Sequence, residues 1–599
     1  MRRTAFFVYQ SGNLIFAIRS FKEKLEKMAD EKSVTLRPRN VKPEASGEPD
    51  KTRSHFFIMF EEVIEMITSN DEKPSQEIDL QGENLVNRAR LTGCVTQEEI
   101  LNQLGNCKGL QKLVHSIGIV IKIDSESYDH INVMLHGKNA SGTVLSLSCP
   151  TDGTEKVFHL DDHGSQFNLF KKLKFECKHP GAKASVSVKL YLHEEYKVPV
   201  ISNEAVAFNT EEYKAMIKKS LLSKGNNKRL KEVIEKAENG EDVTIAFIGG
   251  SITQGAVAEP IHTNCYAYQT YKRFKQMFGK GEGENIHFVK GGVGGTPSEL
   301  GVVRYHRDIL KEGTVEPDIV IVEFAVNDAD DETEGVCYES LCLQILSANN
   351  NPAVVLLFSV FVNDWNLQER LSRVGKHYDL PMVSIKDAVV DQFRLTRDEG
   401  NIISKRQFFA DIYHPTNDGH TIMADCLAYL FSETKKTQIN KDDINISVDP
   451  VIGDAFKNIR LLDRKNYLSM AMIDMGSFIE TDEDIQMVEM DDNLFSTPQF
   501  PNNWMHATTS GNNSFTMKIN SKSLILIYKD SGSDAFGKAD IFVDGQLMKC
   551  VDPREINWTH CHAVILYQEE ECKEHFVEIK MASDDVDKHF TILGFGYTL

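Results

Sequence analysis

The spacing of hydrophobic positions changes several times along the chain, and each change marks a region. Up to residue 82, two short amphipathic helical patterns, around 15–29 and 56–68, flank the polar stretch RPRNVKPEASGEPDKTRS. Residues 1–82 therefore read as a partly helical extension with a linker. From 83 to 204 the period is two. SIGIVIKI, HINVMLHG, TVLSLSC, KVFHL, KLKFEC and ASVSVKLYL are short, rich in β-branched residues and punctuated by Gly, Asp, Asn and Pro. Strands of that kind predict an antiparallel β-sandwich. Between 205 and 436, the apolar segments VTIAFIG (243–249), IHFVK (286–290), DIVIVEF (318–324), AVVLLFSVF (353–361) and MVSI (382–385) alternate with helical patterns. One such helix runs from Cys265 to Phe278, with Tyr268, Tyr271, Phe274 and Phe278 on one face. Apolar strands alternating with amphipathic helices predict a parallel sheet covered on both faces. Residues 437–599 return to strands: SFTMKI, SLILIYK, ADIFVDGQLMKCV (a hairpin through Asp544-Gly545), HFVEIKM and FTILGFGYTL. These predict a second β-sandwich.

In an α/β sheet, ligands bind outside the carboxyl ends of the strands. Four loops fall there in the central region. GGSITQG places Ser251 in a glycine-bounded turn, GGVGGT offers bare backbone around Gly295, and Asn327-Asp328 follow the strand 318–324. DIYHP brings Asp411 and His414 ahead of the closing helix. A serine hydroxyl needs a base to take its proton, and an imidazole does this near neutral pH. Asp411, three residues before His414, can accept the other ring N–H and fix the tautomer. The amides of Ser251 and Gly295 and the side-chain NH2 of Asn327 can form an oxyanion hole.

Each feature has a plainer explanation. A glycine-flanked serine after a strand is often only a turn or a phosphate loop, but GGSITQG lacks the GK[ST] ending of the latter. Asn327 and Asp328 together suit an Asx turn; the order of the sequence blocks favours Asn327 as functional and leaves Asp328 structural. Asp411, His414, Asp418 and His420 could ligate a metal, yet helix capping accounts for Asp418 more simply. His262, His306 and His377 read as surface or satisfied histidines, and the charged run 308–318 as a solvated helix end. Trp365 follows a central strand at the candidate edge, where an indole can stack on a sugar or simply pack. Trp504 and Trp558 are core residues or sugar platforms of the terminal sandwich.

Taken in order, GGSIT, GGVGGT, AVND and DIYHP resemble the four sequence blocks of the SGNH (GDSL-type) hydrolases, over about 205–436. The resemblance implies a flavodoxin-like three-layer α/β/α domain between two β-sandwiches. It also implies hydrolysis through an acyl-enzyme on Ser251, His414 and Asp411, without metal or organic cofactor. The first block has Gly250 where the family name implies aspartate, and the third has Ala325 where glycine is frequent. The second begins with Lys290 where asparagine is frequent, which puts a secondary hydrogen bond in doubt. The arrangement with β-sandwiches is similar to bacterial carbohydrate esterases that deacetylate plant polysaccharides or their oligosaccharides. The expected partner is thus an acetylated carbohydrate. The rivals are a lipid or thioester acylhydrolase and a non-catalytic carbohydrate-binding protein built on a degenerate core.

Composition narrows the remaining options. A net charge of −21 disfavours polyanionic partners, so neither nucleic acid nor an anionic membrane is expected. Eleven scattered cysteines without a CxxC pair suit reduced thiols and no zinc site. The apolar start of the chain is broken by Gln10-Ser11-Gly12-Asn13 and lacks a cleavage site, so a cytoplasmic protein is expected. Homo-oligomerisation stays open.

Overall fold

The computed structural model describes residues 57–599 apart from 66–74, 81, 93–94, 96–97, 124–128, 138–143, 161–169, 177–182, 194–204, 397–398, 491–495 and 557. The helical pattern around 15–29 lies outside these residues. The chain divides into two compact units, one drawn from residues up to Val86 and from Glu99–Val198, the other from Asn87–Glu98 and Pro199–Leu599.

The first unit holds two four-stranded antiparallel sheets. Phe57–Glu65, Lys183–Leu192, Val114–Lys122 and Lys156–His159 form one, and Ser75–Asp79, Phe170–Glu176, His130–Gly137 and Val144–Pro150 the other. Alternate residues Ile117, Ile119 and Ile121 are fully buried, as are Val186, Val188 and Leu190 from the neighbouring strand. This is the period-two burial expected of sheets with one inner face. Two expectations fail. Within the segment 56–68, residues 57–65 are not helical, because Phe57–Glu65 pairs along its whole length with Lys183–Tyr191. A short apolar run has no decisive period of its own, and a distant partner strand settles it. Conversely, the described residues of 83–113 are not strands but carry the helices Gly82–Thr92, Glu98–Leu104 and Cys107–Leu113. Leu101 and Leu104, and Leu110 and Leu113, are spaced for one helix face and are buried. Asn106 caps the third helix by accepting from the Gly109 amide at 2.7 Å.

In the second unit, five parallel strands lie in the order Ile286–Gly292, Val243–Gly249, Ile319–Glu323, Ala353–Phe358, Met382–Ser384, with Leu221–Ser223 antiparallel at the edge. The strand order reverses beside Val243–Gly249, the strand that leads into Ser251. Ile245, Phe247, Ile321 and Val355 face a core with the helices Lys228–Asn239, Tyr266–Phe278 and Asn417–Lys436. Ala246, Ile248, Val320 and Val354 face a second core with Ser298–Asp308 and Val336–Leu346. The parallel sheet is therefore apolar on both faces, as its uninterrupted strands require. The helix 266–278 buries Phe274 and Phe278 as expected, while Tyr268 and Tyr271 pack at its margin on Phe288.

The C-terminal region carries an eight-stranded antiparallel sheet and a separate small pair, Met487–Val488 with Thr497–Pro498. SFTMKI and SLILIYK are not two strands but one, Phe515–Asp530, continuous across an irregularity at Ser521–Ser523. Its partner His560–Met581 runs 22 residues. The run SLILIYK is apolar on both faces for a reason. Leu524, Leu526 and Tyr528 enter the region's own core, whereas Ile525 and Ile527 join the core containing Val303 and Leu341 of the α/β helices. The segment between 437 and 459 is pinned as well. The Glu339 carboxylate, fully buried, accepts the amides of Val451, Ile452 and Gly453 at 2.5–2.8 Å and the Tyr378 hydroxyl at 2.7 Å. Among the described residues, no helix is long and apolar enough to cross a membrane.

Candidate active site

Strand Val243–Gly249 ends in Gly250, and residues 251–254 turn at once into a helical turn closed by Gln254 N–H to Gly250 O at 3.0 Å. Ser251 thereby stands at the strand's carboxyl end. His414 Nε2 lies 2.9 Å from Ser251 Oγ. On the other side of the ring, Nδ1 lies 2.8 Å from Asp411 Oδ2. Asp411 is held by its own turn, accepting the amides of Tyr413 at 2.7 Å and His414 at 2.8 Å. Burial works against the charge of Asp411, but the imidazole beside it and these hydrogen bonds outweigh burial and keep its carboxyl below the ordinary range. A hydroxyl, an imidazole and a charged carboxylate are thus in line, an arrangement able to activate serine for acyl transfer.

Asn327 lies over the backbone before Ser251. A Cβ placed on Gly250 would fall 2.2 Å from Asn327 Oδ1. The loop after Ile286–Gly292 passes on the other side, with Gly294 near enough that its Cβ would be 3.7 Å from that of Ser251. Gly295 adopts φ 70°, and a side chain there would meet the Trp558 indole at 2.7 Å. Neither the Gly295 N–H nor the Asn327 amino group donates to a protein group among the described residues.

The surroundings bear on several expectations. Lys290, which stands where asparagine is frequent, is buried, and its ammonium donates to Gln254 O at 2.8 Å. Asp328 accepts the amide and hydroxyl of Ser298 at 2.7 and 2.8 Å, a structural task at the start of a helix. Asp418 is not the cap of the last helix; Thr416 is, accepting from the Gly419 amide. His420 is buried, accepts the Tyr266 amide at 3.2 Å and is pushed down to about 3 by burial, with His414 adding to the shift. The run 308–318 is not solvated throughout, since Asp308 is buried between Arg304 and Arg307. Arg304, fully buried, donates to the carbonyls of Gly249 and Gly291, the first of them two residues before Ser251. Nothing local in the sequence marks that role.

Trp365 is partly buried and stacks on Phe361 at 5.9 Å. Phe361 in turn meets Tyr413 edge-on at 5.1 Å, and Tyr413 is the exposed aromatic next to His414. Trp365 therefore reaches the edge through two other rings. Trp504 is a core residue with no exposure. Trp558 was legible only as core or platform, and its place over Gly295 follows from contacts distant in sequence.

A parallel sheet with a serine, histidine and aspartate at its carboxyl edge defines a serine hydrolase of the three-layer α/β type. Residues 247–422 match the GDSL-like lipase/acylhydrolase family, so the chain carries an SGNH-type acylhydrolase domain. Among solved structures, it is similar to a two-domain esterase described as active on acetylated mannans. That likeness has 26% identity and TM-score 0.54, covering 64% of this chain and 98% of the other. The same holds for a two-domain esterase crystal grown with mannopentaose, with 26% identity, TM-score 0.54 and coverages of 64% and 97%. The shared portion exceeds what the α/β region alone could supply. Comparison with curated proteins returns no match.

Proposed function

We propose that this chain is a serine esterase that removes acetyl groups from the hydroxyls of carbohydrates. The observation that carries the reading is the unbroken chain Asp411–His414–Ser251, with links of 2.8 and 2.9 Å. The similarity to a protein active on acetylated mannans supports the choice of substrate class.

In this reading Ser251 Oγ attacks the acetyl carbonyl while His414 Nε2 takes its proton. His414 Nδ1 keeps its proton and donates it to Asp411, whose carboxylate stabilises the imidazolium. The amides of Ser251 and Gly295 and the Asn327 side chain receive the oxyanion. Collapse returns the proton from His414 to the departing sugar oxygen. Water, deprotonated by the same imidazole, then releases acetate from Ser251. Tyr413, backed by Phe361 and Trp365, offers an aromatic surface beside the base on which a pyranose can rest.

Acetylated manno- and xylo-oligosaccharides incubated with wild type and Ser251→Ala test this by mass spectrometry. Successive losses of acetyl mass are expected with wild type alone. Persistence of every acetyl group, together with faster turnover of p-nitrophenyl octanoate than acetate, would instead identify a lipid acylhydrolase.

A further inference from the structure

The Gly294 carbonyl and the Gly295 N–H belong to one planar trans peptide, so they point in opposite directions and cannot be oriented independently. Whatever holds the carbonyl also aims the amide. That carbonyl accepts from Gln486 Nε2 at 2.8 Å, and Gln486 belongs to the C-terminal region, 192 positions away. The orientation of the Gln486 amide is itself fixed, because its Oε1 accepts the Cys561 N–H at 3.0 Å. Gln486 is buried, so no water competes for either bond. The preceding peptide is tied too. The Gly294 N–H donates to Gln254 Oε1 at 3.0 Å, and Gln254 Nε2 donates to Glu489 Oε2 at 2.9 Å. Val293 packs with Val488 and Met490.

We propose that Gln486 is a positioning residue for the esterase reaction: by holding the Gly294 carbonyl, it sets the direction in which the Gly295 N–H meets the developing oxyanion. This rests on Gly295 acting as an oxyanion donor in the function proposed above. The C-terminal sheet region then completes the transition-state site from behind while leaving the nucleophile and base untouched. Such a role acts on kcat, since the oxyanion exists only after attack.

The test uses the full chain with p-nitrophenyl acetate and two variants. Gln486→Leu removes the donor at similar size. Gln486→Glu keeps the acceptor for Cys561 N–H and regains a donor only when protonated. Gln486→Leu is expected to lower kcat roughly 10- to 100-fold, with KM within about twofold of wild type. Gln486→Glu is expected to surpass Gln486→Leu near about pH 6 and lose that advantage toward about pH 9, a profile a merely structural role would not give. A kcat for Gln486→Leu within about threefold of wild type, a deficit confined to KM, or an absent pH-dependent rescue would each overturn the proposal. If Gln486→Leu does not fold, the profile of Gln486→Glu decides; unfolding of both makes Gln486 structural and also overturns it. Ser251→Ala and Asn327→Ala run alongside separate the two levels. Activity surviving Ser251→Ala rejects the esterase reading itself, whereas its loss there with normal kcat in the Gln486 variants rejects only the positioning role.

Discussion

At the scale of single residues, the position before Ser251 is tightly constrained. A methyl on Gly250 would sit 2.2 Å from Asn327 Oδ1, and the end of that side chain must move away to admit it. Gly250→Ala is therefore expected to lower kcat by about 10-fold or more through a displaced oxyanion donor, with the fold intact. Unchanged steady-state kinetics of Gly250→Ala would show that Asn327 takes no part. Ser251, Asn327, Asp411 and His414 were legible because each lies in a short motif whose chemistry is local. Gln486, Arg304 and Trp558 were not, since their meaning comes from what folds against them. Gln486 sits in the unremarkable string EDIQMVEM, and only contact with Gly294 gives it a task.

At the scale of elements, the five parallel strands were readable to within three residues, because burial on both faces leaves an uninterrupted apolar run. Phe57–Glu65 was misread for the opposite reason: its identity depends on a strand more than a hundred residues away. The long strand Phe515–Asp530 was split in two at the polar residues Asn520–Lys522, where pairing continues through an irregularity instead of ending. Segment 437–459, without regular structure over most of its length, is organised by Glu339. Replacing Glu339 with alanine would leave three backbone N–H groups without their acceptor. A loss of about 3 kcal/mol or more in urea unfolding is expected, well beyond a surface substitution. A Glu339→Ala variant as stable as wild type would mean that this segment contributes nothing to the domain it crosses.

At the scale of the whole molecule, several buried carboxyls bear on stability. Burial pushes Glu323 up to about 7 and Asp328 to about 8, with the neighbouring Asp331 adding to the latter; Glu299 rises to about 10 by burial and by Asp331. Between the ordinary carboxylate range and these values, the folded chain keeps protons that the unfolded chain has released. Unfolding then releases protons, and stability falls as pH rises. Urea midpoints measured from about pH 5 to about pH 8 are expected to decline, and Glu323→Gln, which cannot ionise, should flatten part of that slope. An identical slope in Glu323→Gln would exclude that carboxyl as a contributor.

The alternation in SLILIYK has a practical consequence for anyone wishing to build with this protein. One side of that strand seals its own sheet and the other seals the helices Ser298–Asp308 and Val336–Leu346. Cutting the chain near residue 437 would strip an oily surface bare on both fragments, and each should be recovered from cells mainly in insoluble form. The catalytic and terminal halves are therefore one spare part, to be transplanted together or left in place.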